Sequence, residues 1–314
     1  PVKIEKKKAV AYVIDRAEFD RALAREAAIA GARFLLKTRC TAVKGGQRPE
    51  IRVAGETSEK ISASLVVGAD GPASVVWRSI ERKNAGAYVN CAQVEIFGRL
   101  PGDVAEIYLG RRFFPGFFGW GVKAGRTCRV GLGCAEGNPV NLLREFLENH
   151  AAAQKFIPTK EAHYCVGAIP PPFSRKMHAE GVILVGDAAG QIKPLTGGGL
   201  YLGLSSAKIA AEVISRREWR SAPRDYSSSV LKRFGKEVEL GRRAAAIMKK
   251  LSDEEISAVV RILEDNEIKA NCERSFDFDR HGEFIKAVLP KMPALLKRIG
   301  ARSLLKNLLT FLKG

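Results

Sequence analysis

The chain is poor in the side chains that most often do direct chemistry. It carries four histidines, three methionines and three tryptophans in 314 residues. The histidines (His150, His163, His178, His281) share no metal-ligand spacing, and no HExxH occurs. A GxSxG elbow and a GxxxxGK[ST] loop are both missing, so serine-hydrolase and phosphate-cradling NTPase readings find no support. Six cysteines (Cys40, Cys91, Cys128, Cys134, Cys165, Cys272) are scattered without CxxC pairing, which points to a reducing compartment and against a structural metal. No apolar run reaches the ~18 residues of a spanning helix. Zinc-finger spacing, RNP-like aromatic strands and a helix-turn-helix are absent too, so no nucleic-acid partner is expected.

What is present is apolar and basic. Hydrophobic residues make up 46% of the chain, enough for a large core and for two domains rather than one. The formal net charge of +18 favours anionic partners, whether nucleic acid, a membrane surface or a phosphorylated substrate.

The pattern is organised around Gly181 to Ser215, GVILVGDAAGQIKPLTGGGLYLGLSSAKIAAEVIS. A short apolar strand (Val182–Val185) runs into Gly186-Asp187, then a tight segment with Pro194 and the glycines Gly197, Gly198 and Gly199, then a helix opening near Leu200. An acidic residue at the carboxyl end of a buried strand stands where open α/β sheets bind ligands, and its carboxylate can accept from a ribose hydroxyl. Glycines let the backbone approach a ligand, and the helix N-terminus favours a negative group. A triple glycine alone would read as a plain strand-to-helix turn; the full order of strand, GD, turn, proline, GGG and helix favours a ligand site.

Upstream, Asp15 and Glu18 fit a capping box for a helix over 17–30, ended by Gly31. Arg16 in its first turn is either an ion-pair partner of Asp20 or a ligand contact. Residues 33–37 read as a strand, 40–43 and 50–53 as a hairpin across Gly45-Gly46, and 61–67 as a further strand. That last strand ends in Gly68-Ala69-Asp70-Gly71-Pro72-Ala73-Ser74, a second acidic tip. Alone it is an ordinary Asp-Gly turn; two such tips can converge on one extended ligand. From Gly86 the pattern turns antiparallel, with strands over 88–97, 105–109, 117–122, 127–132 and 163–169, and one helix over 139–150. Phe113, Phe114, Phe117, Phe118 and Trp120 either line an apolar pocket or form that sheet's core.

The remainder reads as mostly helical, with a capping box at Ser252 and Glu255. Residues 286–314 carry seven Lys or Arg and no acid, interleaved with leucines. That basic amphipathic stretch either lies in a membrane interface or docks on the protein's own core.

Three segments, YVIDRAEFDRALAREAAIAGA (12–32), VVGADGPASVVWR (66–78) and GVILVGDAAGQIKPLTGGGL (181–200), resemble in order and spacing the p-hydroxybenzoate-hydroxylase-like FAD-dependent oxidoreductases. Within that superfamily, the TGGG ending and FFGWGVKAGRTCRVGLG (117–133) are similar to the geranylgeranyl reductase family. The resemblance implies that Gly186 and Asp187 meet the FAD ribose. It sets Pro194, Gly197, Gly198, Gly199 and Leu200 beside the isoalloxazine ring, and Asp70, Gly71 and Arg16 near the dinucleotide. Phe117, Phe118 and Trp120 would face an isoprenoid cavity; no residue is assigned as catalytic. The family's opening strand–GxGxxG–helix is not in the sequence, so a fragment is expected, with that portion lying upstream of Pro1 and flavin binding by this polypeptide left open. Around Trp120 the pattern also departs: ten residues separate it from Gly131, and the family's aromatic-Pro-Lys is replaced by Gly121-Val122-Lys123.

The expected fold is therefore mixed α/β (α+β). A partial Rossmann-like FAD-binding domain (1–85 and 173–220) holds an inserted antiparallel-sheet substrate domain (86–172) and is followed by a basic helical region (221–314). The expected activity is FAD-dependent saturation of isoprenoid C=C bonds in prenyl diphosphates or membrane lipids. NAD(P)H or ferredoxin would supply electrons, in the cytoplasm or peripherally on the cytoplasmic membrane face. Two alternatives stand beside it: an FAD monooxygenase of an aromatic substrate, and a basic membrane- or nucleic-acid-associated protein with a vestigial cofactor site.

Overall fold

The computed structural model describes residues 1–56, 58–81, 86–157, 162, 164–216 and 218–275, and the single positions 277, 279, 280, 282 and 293. The basic stretch 286–314, apart from position 293, lies outside the described residues, as do His163 and His281. Among the described residues no helix is long and apolar enough to cross a membrane.

Helix α1 (Arg16–Ile29) starts where the sequence indicates. The Asp15 carboxylate accepts from the N–H groups of Ala17 (2.8 Å) and Glu18 (3.0 Å). The reciprocal half of the capping box is not made, because Glu18 turns outward to Arg21 at 2.6 Å. No side chain of α1 is buried.

The strand expected over 33–37 does not form. Lys37 takes a left-handed φ of 51° that turns the chain into β1, and Phe34 and Leu36 stay exposed with no strand beside them. Strands β1 (Thr38–Lys44), β2 (Glu50–Gly55) and β3 (Glu59–Ser62) make a small antiparallel sheet. The continuous strand expected over 61–67 is instead two. Ala63 N–H closes the first ladder on Pro49 O at 3.0 Å. Val66 N–H opens another on Gly181 O at 2.9 Å, so that β4 (Val66–Gly68) belongs to a different sheet. Helix α2 (Val75–Ile80) follows, capped by Ser74, where sequence patterning suggested only a turn.

The antiparallel sheet comprises β5 (Val89–Gly98), β6 (Ala105–Tyr108), β7 (Gly119–Ala124), β8 (Thr127–Cys134), the two-residue β9 (Phe156–Ile157) and β10 (Tyr164–Ile169). Its order is β10-β5-β8-β7-β6, with β9 on β5. Period-2 alternation sends Ala92, Val94, Ile96, Val130 and Leu132 to one face. Helix α3 (Pro139–Asn149), capped by Asn138 and opened by a proline, lays Leu143, Phe146 and Leu147 on that face. Each such side chain contributes about 1.5–3 kcal/mol by leaving water. Phe113 and Phe114 join this core, so the aromatic run divides and only part of it can serve a pocket.

A second core forms where β11 (His178–Ala179), β12 (Val182–Leu184) and β4 align in a three-stranded sheet. Helices α4 (Leu200–Ile214) and α5 (Ala222–Met248) cover it. In α5, Tyr226, Val230, Phe234 and Val238 recur every four residues and form its buried stripe. Helices α6 (Asp253–Leu263) and α7 (Asn266–Ser275) complete the described part. The Ser252–Glu255 capping box closes in both directions, at 3.0 and 3.2 Å.

Candidate cofactor and substrate site

Strand β12 runs parallel to β4 with Val182 opposite Val66, Ile183 opposite Val67 and Leu184 opposite Gly68. The two strands therefore end together, and Val185 N–H still reaches Gly68 O at 2.9 Å. This register sets the 68–74 and 186–190 tips side by side at the carboxyl edge of the sheet, where α/β proteins bind ligands. The convergence anticipated from sequence is realised by backbone pairing.

Gly186 leaves β12 with φ 65°, a conformation other residues adopt only with strain. A buried polar chain fixes that turn. The amide oxygen of fully buried Gln191 accepts from Gly186 N–H at 2.7 Å, and its nitrogen donates to the Tyr226 hydroxyl at 2.7 Å. Tyr226 in turn donates to Leu184 O at 2.8 Å. Burial pushes the Tyr226 phenol up to about 12, so it remains a neutral donor.

Arg175 joins the two tips. Its side chain is buried beneath Trp77, with the guanidinium carbon 4.4 Å from the ring centroid. One nitrogen donates to Asp187 O (3.0 Å) and Ala188 O (3.1 Å). The other donates to Pro72 O (2.6 Å) and to the Tyr88 hydroxyl. Burial lowers its pKa, and Tyr88 and Asp187 oppose that shift.

The two acidic tips differ in what their carboxylates do. Asp70 is engaged locally, accepting from Ser74 Oγ (2.6 Å), Val75 N–H (2.6 Å) and Val76 N–H (3.2 Å), and so caps α2 beside Gly71. Asp187 is half-buried, and no described residue donates to its side chain. Burial raises its pKa, while Arg175 and then Arg16 pull it down. Arg16 makes the ion pair with Asp20 (3.1 Å), and its charge also reaches the Asp187 carboxylate. A methyl group on Gly199 would stand 2.8 Å from Asp187 Oδ1, so glycine there keeps the carboxylate free.

The glycine turn is closed by Lys193 N–H to Gly198 O (3.0 Å) and Gly197 N–H to Lys193 O (2.9 Å). Gly241 of α5 backs Pro194, with room for no more than a strained Cβ at 3.2 Å. Gly197, at φ 68°, faces the antiparallel sheet: a Cβ there would strike Ile169 Cδ1 and lie 3.2 Å from Phe117 Cζ. Helix α4 then begins at Leu200 without any side-chain cap, leaving its N-terminal N–H groups and positive dipole end available.

The face of the sheet opposite α3 carries Phe117, Phe118 and Trp120. Phe117 and Phe118 stack at 4.4 Å, and Trp120 stands edge-on to Phe118 at 6.1 Å. Glycines lie under these rings. A methyl on Gly131 would sit 2.6 Å from Trp120 Cε2, and one on Gly133 would strike the Phe117 ring. Strand registers align Cys165, Gln93, Gly131, Trp120 and Ile107 across this face. Gln93 Oε1 accepts from Trp120 Nε1 at 3.2 Å. Cys91 shares the face, and burial pushes its thiol up to about 12, which keeps it protonated at neutral pH.

These residues suit FAD. A half-buried carboxylate without a donor fits a ribose hydroxyl, and an uncapped helix start fits an anion. Thr196 Oγ1, inside the glycine turn, is buried without a partner. Space in front of Gly186 and Gly71, where an added Cβ would meet nothing within 4 Å, gives the ligand access to both tips. Arg175, Gln191 and Tyr226 were not legible as site residues from sequence. The signal available was weak: an arginine and a glutamine flanking a strand–GD unit, with partners far along the chain.

The fold is that of the FAD-dependent oxidoreductases. No family model matches the chain. It is 30% identical over 322 residues to the digeranylgeranylglycerophospholipid reductase of Methanocaldococcus jannaschii, covering 94% of this chain and 77% of that protein. It is 37% identical over 222 residues to the protein of that name from Methanothrix thermoacetophila, covering 66% and 55% of the two chains. The chain belongs to the geranylgeranylglycerophospholipid reductase family. Among solved structures, a geranylgeranyl bacteriochlorophyll reductase-like protein of Thermoplasma acidophilum shares the fold, with TM-score 0.80, 24% identity and coverage of 95% of this chain and 78% of the other. Klebsiella pneumoniae HpxO, solved with FAD and uric acid, shares it at TM-score 0.60 and 19% identity, over 81% of this chain and 68% of its own.

Proposed function

We propose that this protein is an FAD-dependent reductase that saturates C=C bonds of geranylgeranyl or related isoprenoid chains, carried by membrane lipids or prenyl diphosphates. The observation that carries the reading is the contact between Phe117 and Gly197. A Cβ on Gly197 would lie 3.2 Å from Phe117 Cζ, so the apolar aromatic face meets the glycine turn directly. When bound, FAD supplies the two-electron chemistry of saturation.

The chain's own groups do the rest. Asp187 accepts from a ribose hydroxyl, and the N–H groups at Gly198–Leu200 favour negative charge on the reduced ring. Phe117, Phe118 and Trp120 hold the prenyl chain and exclude water, and Arg175 keeps the two tips in register. Arg16 and the Asp70–Gly71 tip line the dinucleotide end. NAD(P)H or ferredoxin supplies the electrons. The excess positive charge suits a phosphate-headed or membrane-resident substrate reached from the cytoplasmic membrane face.

The test is retention of flavin absorbance through gel filtration after incubation with FAD. Wild type keeps the flavin bands, and Asp187→Ala loses them. Equal FAD affinity in the two proteins would remove Asp187 from the site. No retention by either would show that the Asp187 and Asp70 tips do not suffice to hold the cofactor without the GxGxxG unit that the sequence lacks.

A further inference from the structure

Helix α1 brings Arg16 to the candidate site, yet none of its side chains is buried, so apolar packing does little to seat it. Among the described residues one hydrogen bond joins the start of this helix to the antiparallel sheet. Arg129, on β8, donates through Nη1 to Ile14 O at 2.8 Å. Its Nε donates to Glu95 Oε2 on β5 at 3.0 Å, and the Glu95 carboxylate also accepts from Thr127 Oγ1. Strand register pairs Glu95 with Arg129, and Trp120 with Gly131. Arg129 therefore stands on the aromatic face, two residues along β8 from the glycine beneath Trp120. Its side chain is only 24% exposed.

The guanidinium lies between acids of two different elements. Thr127 and then Arg129 hold the Glu95 carboxyl below the usual carboxylate range, while Asp15 pushes it the other way. Asp15 is itself held low, first by the Glu18 N–H it accepts from, with the Arg129 charge adding to that. Without Arg129, two like charges would face each other across the joint, and the Ile14 carbonyl would lose its donor. A planar fork can serve the carboxylate and the carbonyl together, which a point charge cannot.

Arg16 follows Asp15 directly. The charges that pull the Asp187 carboxyl down are Arg175 and then Arg16. Arg175 is fixed by its four hydrogen bonds to the two tips and Tyr88. Arg16 pairs within its own helix, with Asp20, so its reach to Asp187 depends on where α1 begins.

We propose that Arg129 is a positioning residue of the cofactor site: it pins the start of α1 to the antiparallel sheet and thereby holds Arg16 within reach of Asp187. This rests on FAD meeting Asp187 as proposed above. Arg129 acts through Arg16 and contacts no ligand in this role.

The experiment titrates Asp187 in the FAD-free protein by carbon-13 NMR of the aspartate carboxyls, with Asp187→Asn assigning the signal. Wild type is compared with Arg16→Met, Arg129→Met and the double variant. Both single variants raise the Asp187 midpoint, and the double variant rises no further than Arg16→Met alone. FAD affinity, read by flavin fluorescence, falls about tenfold in Arg129→Met and follows the same non-additive pattern. A purely structural arginine would lower the melting temperature and leave the Asp187 titration unmoved. An additive double variant would show that Arg129 acts without Arg16, and either result overturns the proposal. If Arg129→Met fails to fold, Arg129→Lys decides: it keeps a charge beside Glu95 but gives up the fork, and shows a smaller rise of the same sign. Absence of flavin from wild type would bear on the cofactor reading alone, because the titrations are made without FAD and still decide whether Arg129 holds Arg16.

Discussion

Replacing Arg175 by methionine removes the side chain that fastens the 68–74 tip to the 186–190 tip. Four hydrogen bonds go: those to Asp187 O, Ala188 O, Pro72 O and the Tyr88 hydroxyl. A buried acceptor left unpaired costs about 1–3 kcal/mol, and the lost stacking on Trp77 adds about 1–2. Two terms work the other way. Asp187 and Pro72 are only half-buried and recover water, and methionine spares the burial of a cation. The net destabilisation is about 2–4 kcal/mol, because what is left behind is neutral acceptors rather than a buried charge. Urea denaturation followed by far-UV circular dichroism measures it, and Trp77 fluorescence reports the local change because the guanidinium lies over that ring. Arg175→Lys recovers less than half, since a point charge cannot fork to two pairs of acceptors. A loss below ~1 kcal/mol in Arg175→Met, with unchanged Trp77 emission, would show that the tips are held by the strand register alone.

Three further outcomes follow from the geometry. Gly131→Ala forces Trp120 off its seat and costs about 1–3 kcal/mol, read by chemical denaturation, with altered near-UV dichroism. Tyr226→Phe loses the bond to Leu184 O and strands one donor of Gln191, for about 1–3 kcal/mol by the same denaturation assay. Asp187 has a folded pKa above its unfolded value of about 3.9, so the native state binds more protons between the two. Its contribution to the ligand-free protein therefore falls as pH rises through that window. Asp187→Asn should melt higher than wild type at neutral pH, and the difference should vanish below the window. A gain that is independent of pH would refute the assignment.

Much of the fold was legible because it is local. The hairpin at Gly45-Gly46, the alternating strands β5 to β8, and the caps at Asp15 and Ser252 each rest on residues a few positions apart. The convergence of two acidic tips was legible because both follow the strand–acid–glycine pattern. Where long-range pairing decided the outcome, patterning failed. Residues 61–67 read as one strand because nothing in them states that Ala63 will bond Pro49 while Val66 bonds Gly181. The aromatic run could not be divided from sequence, since Phe113 and Phe118 differ only in which face of the sheet they reach. Asp70 and Asp187 looked alike, and only the structure separates a carboxylate spent on capping α2 from one left without a donor. Arg175 carries no periodic signal at all; its importance comes from four acceptors spread from Pro72 to Ala188.

Mass spectrometry of a geranylgeranyl-bearing lipid after anaerobic incubation with the protein, FAD and dithionite tests the proposed reaction most directly. The expected result is a gain of one hydrogen pair per reduced double bond, dependent on the protein and lost in Asp187→Ala. Unchanged lipid mass with a wild-type protein that retains FAD, together with flavin-dependent oxygen consumption on an aromatic compound in air, would contradict the reductase reading and favour a monooxygenase on the same scaffold.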